Sequence, residues 1–155
     1  MLPTLSNYLK RLETLYADLR RALTDLPSDA LDWAPGPNMN SIGAIATHTA
    51  ESQRYWIGEI VGGQPANRDR EAEFRAHGQD SATLIQRLDE GLAQIRTVLE
   101  RITLDDLSLT RTSLYRDHEF TVAWVLNHTL AHVASHLGHI EVTRQFWELS
   151  QQGNK

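Results

Sequence analysis

Apolar residues recur along this chain at three- and four-residue steps in four long segments. The first carries Leu5, Leu9, Leu12, Leu15, Leu19 and Leu23. That spacing marks one face of an α-helix and predicts a helix from about Leu5 to Leu26. Pro3 suits its start and Pro27 follows its end. Residues 27–40 hold Pro35, Gly36 and Pro37 and read as a long ordered loop. Asn40 or Ser41 then caps a second helix, which runs to about Ile60 and stops at Gly62 and Gly63. Residues 64–79 are polar and charged, with at most one short helical turn near Glu71 to Phe74. Asp80 or Ser81 caps a third helix striped by Leu84, Leu88, Leu92, Ile95, Leu99 and Ile102. Residues 103–120 are mixed and give no assignment; Thr121 is a cap for a fourth helix reaching about Leu149. No segment shows sustained strand alternation. The pattern predicts one all-α domain over residues 1–155, a four-helix bundle whose linkers are too long for tight turns and imply at least one crossover connection.

Composition narrows the chemistry. The 155 residues include 15 basic and 20 acidic side chains, a net charge of −5, and no cysteine. A chain without cysteine has no disulfide framework, cysteine-ligated zinc or iron–sulfur cluster, or catalytic thiolate of its own. The acidic balance, without a block of Lys and Arg, argues against a nucleic-acid partner, whose affinity rests on neutralising phosphates. No apolar run approaches the ~20 residues needed to span a bilayer. The opening MLPTLSNYLK has none of the features of a signal peptide, so a cytoplasmic location is expected.

Histidine changes the picture. Four of the seven histidines, His128, His132, His136 and His139, fall within twelve residues of the fourth helix. Positions four apart lie about 40° apart around a helix, so these form one slowly drifting row. The apolar face of that helix is marked by Val122, Thr129, Val133, Ile140 and Trp147. From its centre His136 lies at about 40°, His132 at about 80°, His139 at about 100° and His128 at about 120°. His132 and His136 are thus the pair that looks into the bundle, with His128 and His139 at its border. Imidazoles one turn apart can share a metal at ~2.0–2.1 Å from each nitrogen, and a third ligand must come from another helix. His48, midway along the second helix, is the natural candidate. Three neutral nitrogens with open positions form a catalytic rather than a closed structural pattern.

Blander readings stand beside this one. A histidine such as His48, taken alone, is more often a hydrogen-bonded interior residue than a ligand, and His77 and His118 read as solvated loop residues. The leucine stripes are core, and Trp33, Trp56, Trp124 and Trp147 read as packing anchors. Two metal motifs are excluded: Thr129 and Val133 follow His128 and His132 where H-E-x-x-H needs glutamate, and no histidine has an acidic residue three positions before it. A metallated bundle would therefore be mononuclear and nitrogen-rich.

Two stretches, DWAPGPNMNSIGAIATHTAESQRYWIGEIVGG and HEFTVAWVLNHTLAHVASHLGHIEVTRQFW, resemble the DinB/YfiT-like superfamily of metal-dependent enzymes. The first is similar to its Ser-Ile/Leu-Gly…His stretch through Ser41, Ile42, Gly43 and His48. The second is similar to its His-x-x-x-His-x-Gly-x-Ile run through His132, His136, Gly138 and Ile140. The resemblance implies a four-helix bundle with a crossover, often a homodimer, holding one divalent metal, commonly zinc or nickel, on His48, His132 and His136. It also implies a transferase or isomerase using a small thiol such as bacillithiol, mycothiol or glutathione. His139 departs from relatives that often carry glutamine there, and His128 and His139 remain candidates for groups just outside the ligand set.

Three functions follow as expectations. The first is a metal-dependent transferase that presents an exogenous small-molecule thiol, held as thiolate, to an electrophilic substrate. The second is a metal-dependent hydrolase using bound water; no general base stands beside the ligands, and Glu51 points away from His48. The third is a non-catalytic stress or interaction protein whose histidines pack or respond to pH.

Overall fold

The computed structural model describes residues 1–113 and 116–152, with the side chains of Arg116 and Asp117 left aside. Its helices are α1 (Pro3–Leu23), α2 (Ser28–Asp32), α3 (Ile42–Gln53), α4 (Arg70–Phe74), α5 (Ser81–Leu99) and α6 (Val122–Gln152). A π-helical segment, Arg54–Val61, continues α3 without a break, and a 3₁₀ turn, Asp105–Ser108, leads into an antiparallel hairpin of β1 (Thr110–Ser113) and β2 (Arg116–Thr121).

Each long helix begins where the chemistry of its first turn provides a start. Proline opens α1. Ser41 Oγ accepts from Ala44 N at the head of α3, and Asp80 accepts from Thr83 N at the head of α5. Thr121 Oγ1 accepts from Trp124 N at 3.1 Å at the head of α6. The leucine stripe of α1 is buried throughout, and Leu84, Leu88, Ile95 and Leu99 meet it from α5. Arg20–Asp89 and Arg96–Glu13 tie the exposed seam between these two helices.

The helices α1, α3, α5 and α6 form the bundle. Both α1 and α3 pack against α5 and α6, so α1 and α3 occupy one diagonal and α5 and α6 the other. Successive helices are therefore joined across diagonals twice, from α1 to α3 and from α5 to α6, where an up-down bundle joins neighbours. The predicted crossover is present in this doubled form. No helix among the described residues is long and apolar enough to cross a membrane.

Three connections differ from expectation. The loop 27–40 contains α2, whose Ala30 and Leu31 are buried. The second helix widens to π geometry at Arg54, where it runs buried between α5 and α6: Tyr55, Trp56, Ile57, Gly58 and Ile60 are all buried. The unassigned stretch 103–120 holds the hairpin, whose β1 shows only Ser113 buried and so lacks an apolar face.

Candidate metal centre

The site lies where the middle of α3 faces α6, roofed by α4. His48 is 5 % exposed, while His132 and His136 are half-buried. His48 Nε2 stands 3.1 Å from His132 Nε2, and His136 Nε2 stands 3.1 Å from the same atom. The three ligand atoms lie within 4.8 Å of one another, so the structure brings together three imidazoles able to hold a metal ion. At ~2.0–2.1 Å from a shared cation, each pair 3.1 Å apart subtends roughly 100°, between octahedral and tetrahedral.

The protonation chemistry fits a cation. One ring nitrogen carries one proton or one lone pair, so His132 Nε2 satisfies one of its two nitrogen neighbours and not both. His132 Nδ1 is also buried without a hydrogen-bond partner among the described residues. A positive ion at the centre of the triangle would use all three lone pairs. Two of the rings are held neutral: burial, then the neighbouring His136, His48, His128 and Arg68, push His132 down to about 3. Burial, then His48 and His139, push His136 down to about 4.

His48 is oriented from the connection between α3 and α5. Asn67 turns the chain with φ 48°, and Asp69 caps α4 by accepting from Ala72 N at 3.0 Å. That cap delivers Glu73, 3 % exposed, to His48. Its Oε2 accepts from His48 Nδ1 at 2.7 Å. Arg68 grips the same carboxylate from the other side, Nε to Oε1 at 2.6 Å and a terminal nitrogen to Oε2 at 2.9 Å. Burial alone would raise the Glu73 carboxyl, but the bonds from Arg68 and His48 hold it below the ordinary value. An ionised Glu73 only accepts, so His48 Nδ1 carries the proton and Nε2 directs its lone pair at His132. Phe74 stacks on the His48 ring, centroids 4.5 Å apart. His48 is thus both readings at once, a hydrogen-bonded interior histidine and a member of the nitrogen triangle.

The bordering histidines take different places. His128 lies flat against Trp124, with centroids 4.8 Å apart and planes at 8°, and meets the edge of Trp56 at 5.1 Å. It belongs to an aromatic wall that Phe120 of the hairpin completes by stacking on Trp124 at 4.2 Å. His139 is exposed, its Nδ1 3.4 Å from His136 Nδ1. Exposed His77 reaches Asp32, and His118 is exposed. Trp56 is a buried anchor as expected, but Trp124 is 38 % exposed and serves the wall rather than the core, because position 124 falls on the rim of α6.

Beside the triangle opens a cleft of about 320 Å³ lined by His48, Ser52, Tyr55, Trp56, Arg68, Arg70, His128 and His132. Sequence reasoning missed Arg68, Arg70, Glu73 and Phe74. Their one local signal is an aspartate cap before a single helical turn, which says nothing of where that turn docks.

Residues 11–140 match the family described as the DinB superfamily. No curated protein matches the chain. Among solved structures, it is similar to YfiT from Bacillus subtilis, described as a "probable metal-dependent hydrolase with an unusual four-helix bundle topology" (TM-score 0.76, 15 % identity, 94 % of this chain and 89 % of that one). A conserved protein from Enterococcus faecalis gives a TM-score of 0.75 at 14 % identity over 94 % of this chain and 98 % of that one. The mycothiol-dependent maleylpyruvate isomerase gives 0.65 at 13 % identity, over 88 % of this chain and 60 % of that one. At such identities the likeness is one of fold.

Proposed function

Because the chain belongs to the DinB superfamily, we propose that His48, His132 and His136 hold one divalent metal ion, zinc or nickel, and that the protein is a metal-dependent transferase using a low-molecular-weight thiol. The observation that carries the metal is the placing of His48 Nε2 and His136 Nε2 each 3.1 Å from His132 Nε2, with the three ligand atoms within 4.8 Å of one another. A divalent metal there would supply Lewis acidity, keeping a thiol ligand ionised at neutral pH.

The chain's own groups determine what else is available. Glu73 holds the Nδ1 proton of His48 and is itself occupied by Arg68, so it is not free to take a proton from water. Among the described residues, none that lines the cleft is a carboxylate. A water-dependent hydrolase would have to draw its general base from a cleft histidine such as His128, whereas an acidic thiol needs none. The chain has no cysteine to compete for the metal, so the nucleophile comes from outside. Trp56 and the His128 wall close one side of the cleft against water.

Elemental analysis of the purified protein and of His132→Ala tests the metal: about one equivalent is expected in the first and little in the second. Assays with thiols plus an electrophile, set against a panel of esters, test the reaction. Turnover of esters without thiol would favour the hydrolase.

A further inference from the structure

We infer that the cleft beside the three histidines binds a small organic carboxylate, whose anionic group pairs with Arg70 and whose planar apolar body lies along the Trp56–His128 wall. This rests on the proposed metal-dependent reading for its purpose, and names the substrate class of that site; the binding itself stands on the chain's own groups.

Charge supports the anion. The two arginines at the cleft are not equivalent. Arg68 is only 5 % exposed in its side chain and spends its guanidinium on Glu73. Arg70, two residues on, is exposed and pairs with no carboxylate among the described residues. Its Cζ sits 5.1 Å over the Phe74 ring, and Phe74 in turn stacks on His48. That ladder holds the Arg70 fork at the cleft, two ring contacts from the nitrogen triangle, with no acidic side chain among the described residues lining the space between. A guanidinium so placed favours a planar carboxylate, which it can take with two parallel hydrogen bonds.

The opposite wall supports the apolar body. Trp56 is 5 % exposed and fixed, and His128 packs flat on Trp124 and at 69° to Trp56, giving a rigid aromatic corner whose faces can each take a planar group. A volume of about 320 Å³ falls at the lower end of small-ligand pockets. A compact molecule with a carboxylate at one end would reach from Arg70 along this wall and bring its far atoms to the histidines.

Titration calorimetry with benzoate, and with benzamide as its uncharged counterpart, tests this on metal-loaded and chelator-treated protein. Benzoate is expected to bind saturably in both forms and benzamide more weakly. Arg70→Gln should weaken benzoate about tenfold or more, Arg70→Lys should retain part of the affinity, and neither should alter thermal unfolding. No saturable benzoate binding, equal binding of benzamide, or an Arg70→Gln affinity equal to wild type would overturn the proposal. Loss of binding on chelation alone would also overturn it, by placing the carboxylate on the metal instead. Absence of metal from the purified protein would sink the metal reading while leaving the Arg70 comparison readable in the metal-free arm.

Discussion

Replacing Glu73 by glutamine keeps the side chain's shape and removes its charge. Two partners then lose what Glu73 gives them: the buried Arg68 loses the charge of the carboxylate it grips, and His48 Nδ1 is no longer obliged to carry the proton. Removing one member of a buried pair costs about 3 kcal/mol or more, and losing the group behind a metal-binding histidine costs about 10–100-fold in affinity. Glu73→Gln should therefore show a lower urea midpoint and weaker zinc retention in competition with a chelating dye; His139→Ala, at an exposed position, should change neither appreciably. Acid acts on the same residues. In metal-free protein His132 and His136 stay neutral down to about 3 and about 4, while the unfolded chain protonates them from about pH 6.5. The unfolded state then binds more protons, so stability is full above about pH 6.5 and falls as pH drops toward 4. Glu73, lowered from 4.5, adds its own loss as pH falls below that value toward its folded one. Urea midpoints of chelator-treated protein between pH 7.5 and 4 should decline, and His132→Phe should decline less. A flat profile in wild type would contradict this.

At the scale of elements, the π-helical stretch Arg54–Val61 depends on close approach to α5. A Cβ on Gly62 would stand 2.6 Å from Val98 Cγ2 and 2.7 Å from the Gly58 carbonyl oxygen, whereas one on Gly58 would meet the movable amide of Gln94. Gly62→Ala should therefore destabilise by about 1–3 kcal/mol, the range for overpacking, and Gly58→Ala by less; chemical denaturation of the two variants checks the order. The elements most legible in the sequence are those with a sustained period. The Leu5-to-Leu23 stripe and the histidine row of α6 follow from spacing, and of the two caps offered for the third helix, Asp80 and Ser81, the structure uses Asp80. The hairpin escaped because its strands read Thr-Arg-Thr-Ser and Arg-Asp-His-Glu-Phe-Thr: with no alternation there is no period-2 signal. The small helix α2 hid behind prolines, and α4 is too short to have a face. Half of the site was visible for the same reason. His48, His132 and His136 lie on periodic helices whose inner faces can be projected, while Arg68, Arg70 and Glu73 arrive on a connection whose docking only tertiary packing decides.

For the whole molecule, the nitrogen triangle joins two elements that the chain keeps far apart, His48 on α3 and His132 and His136 on α6. The two crossovers make α3 and α6 packed neighbours, and the unfolded chain holds no such arrangement. A ligand that binds only the folded state stabilises it by mass action, roughly 3–4 kcal/mol when present at 100- to 1,000-fold over its Kd. For a domain of this length each kcal/mol moves Tm by about 2–4 °C. Chelation of the metal-loaded protein should thus lower Tm by roughly 6–16 °C, and zinc or nickel added back should restore it. His132→Ala should melt at one temperature with or without chelator, because the triangle has lost its shared corner. The alternative of a non-catalytic bundle, in which the imidazoles merely pack, requires the opposite: a wild-type Tm indifferent to chelator and to added metal. Calorimetry on the two proteins separates these outcomes without any knowledge of the substrate.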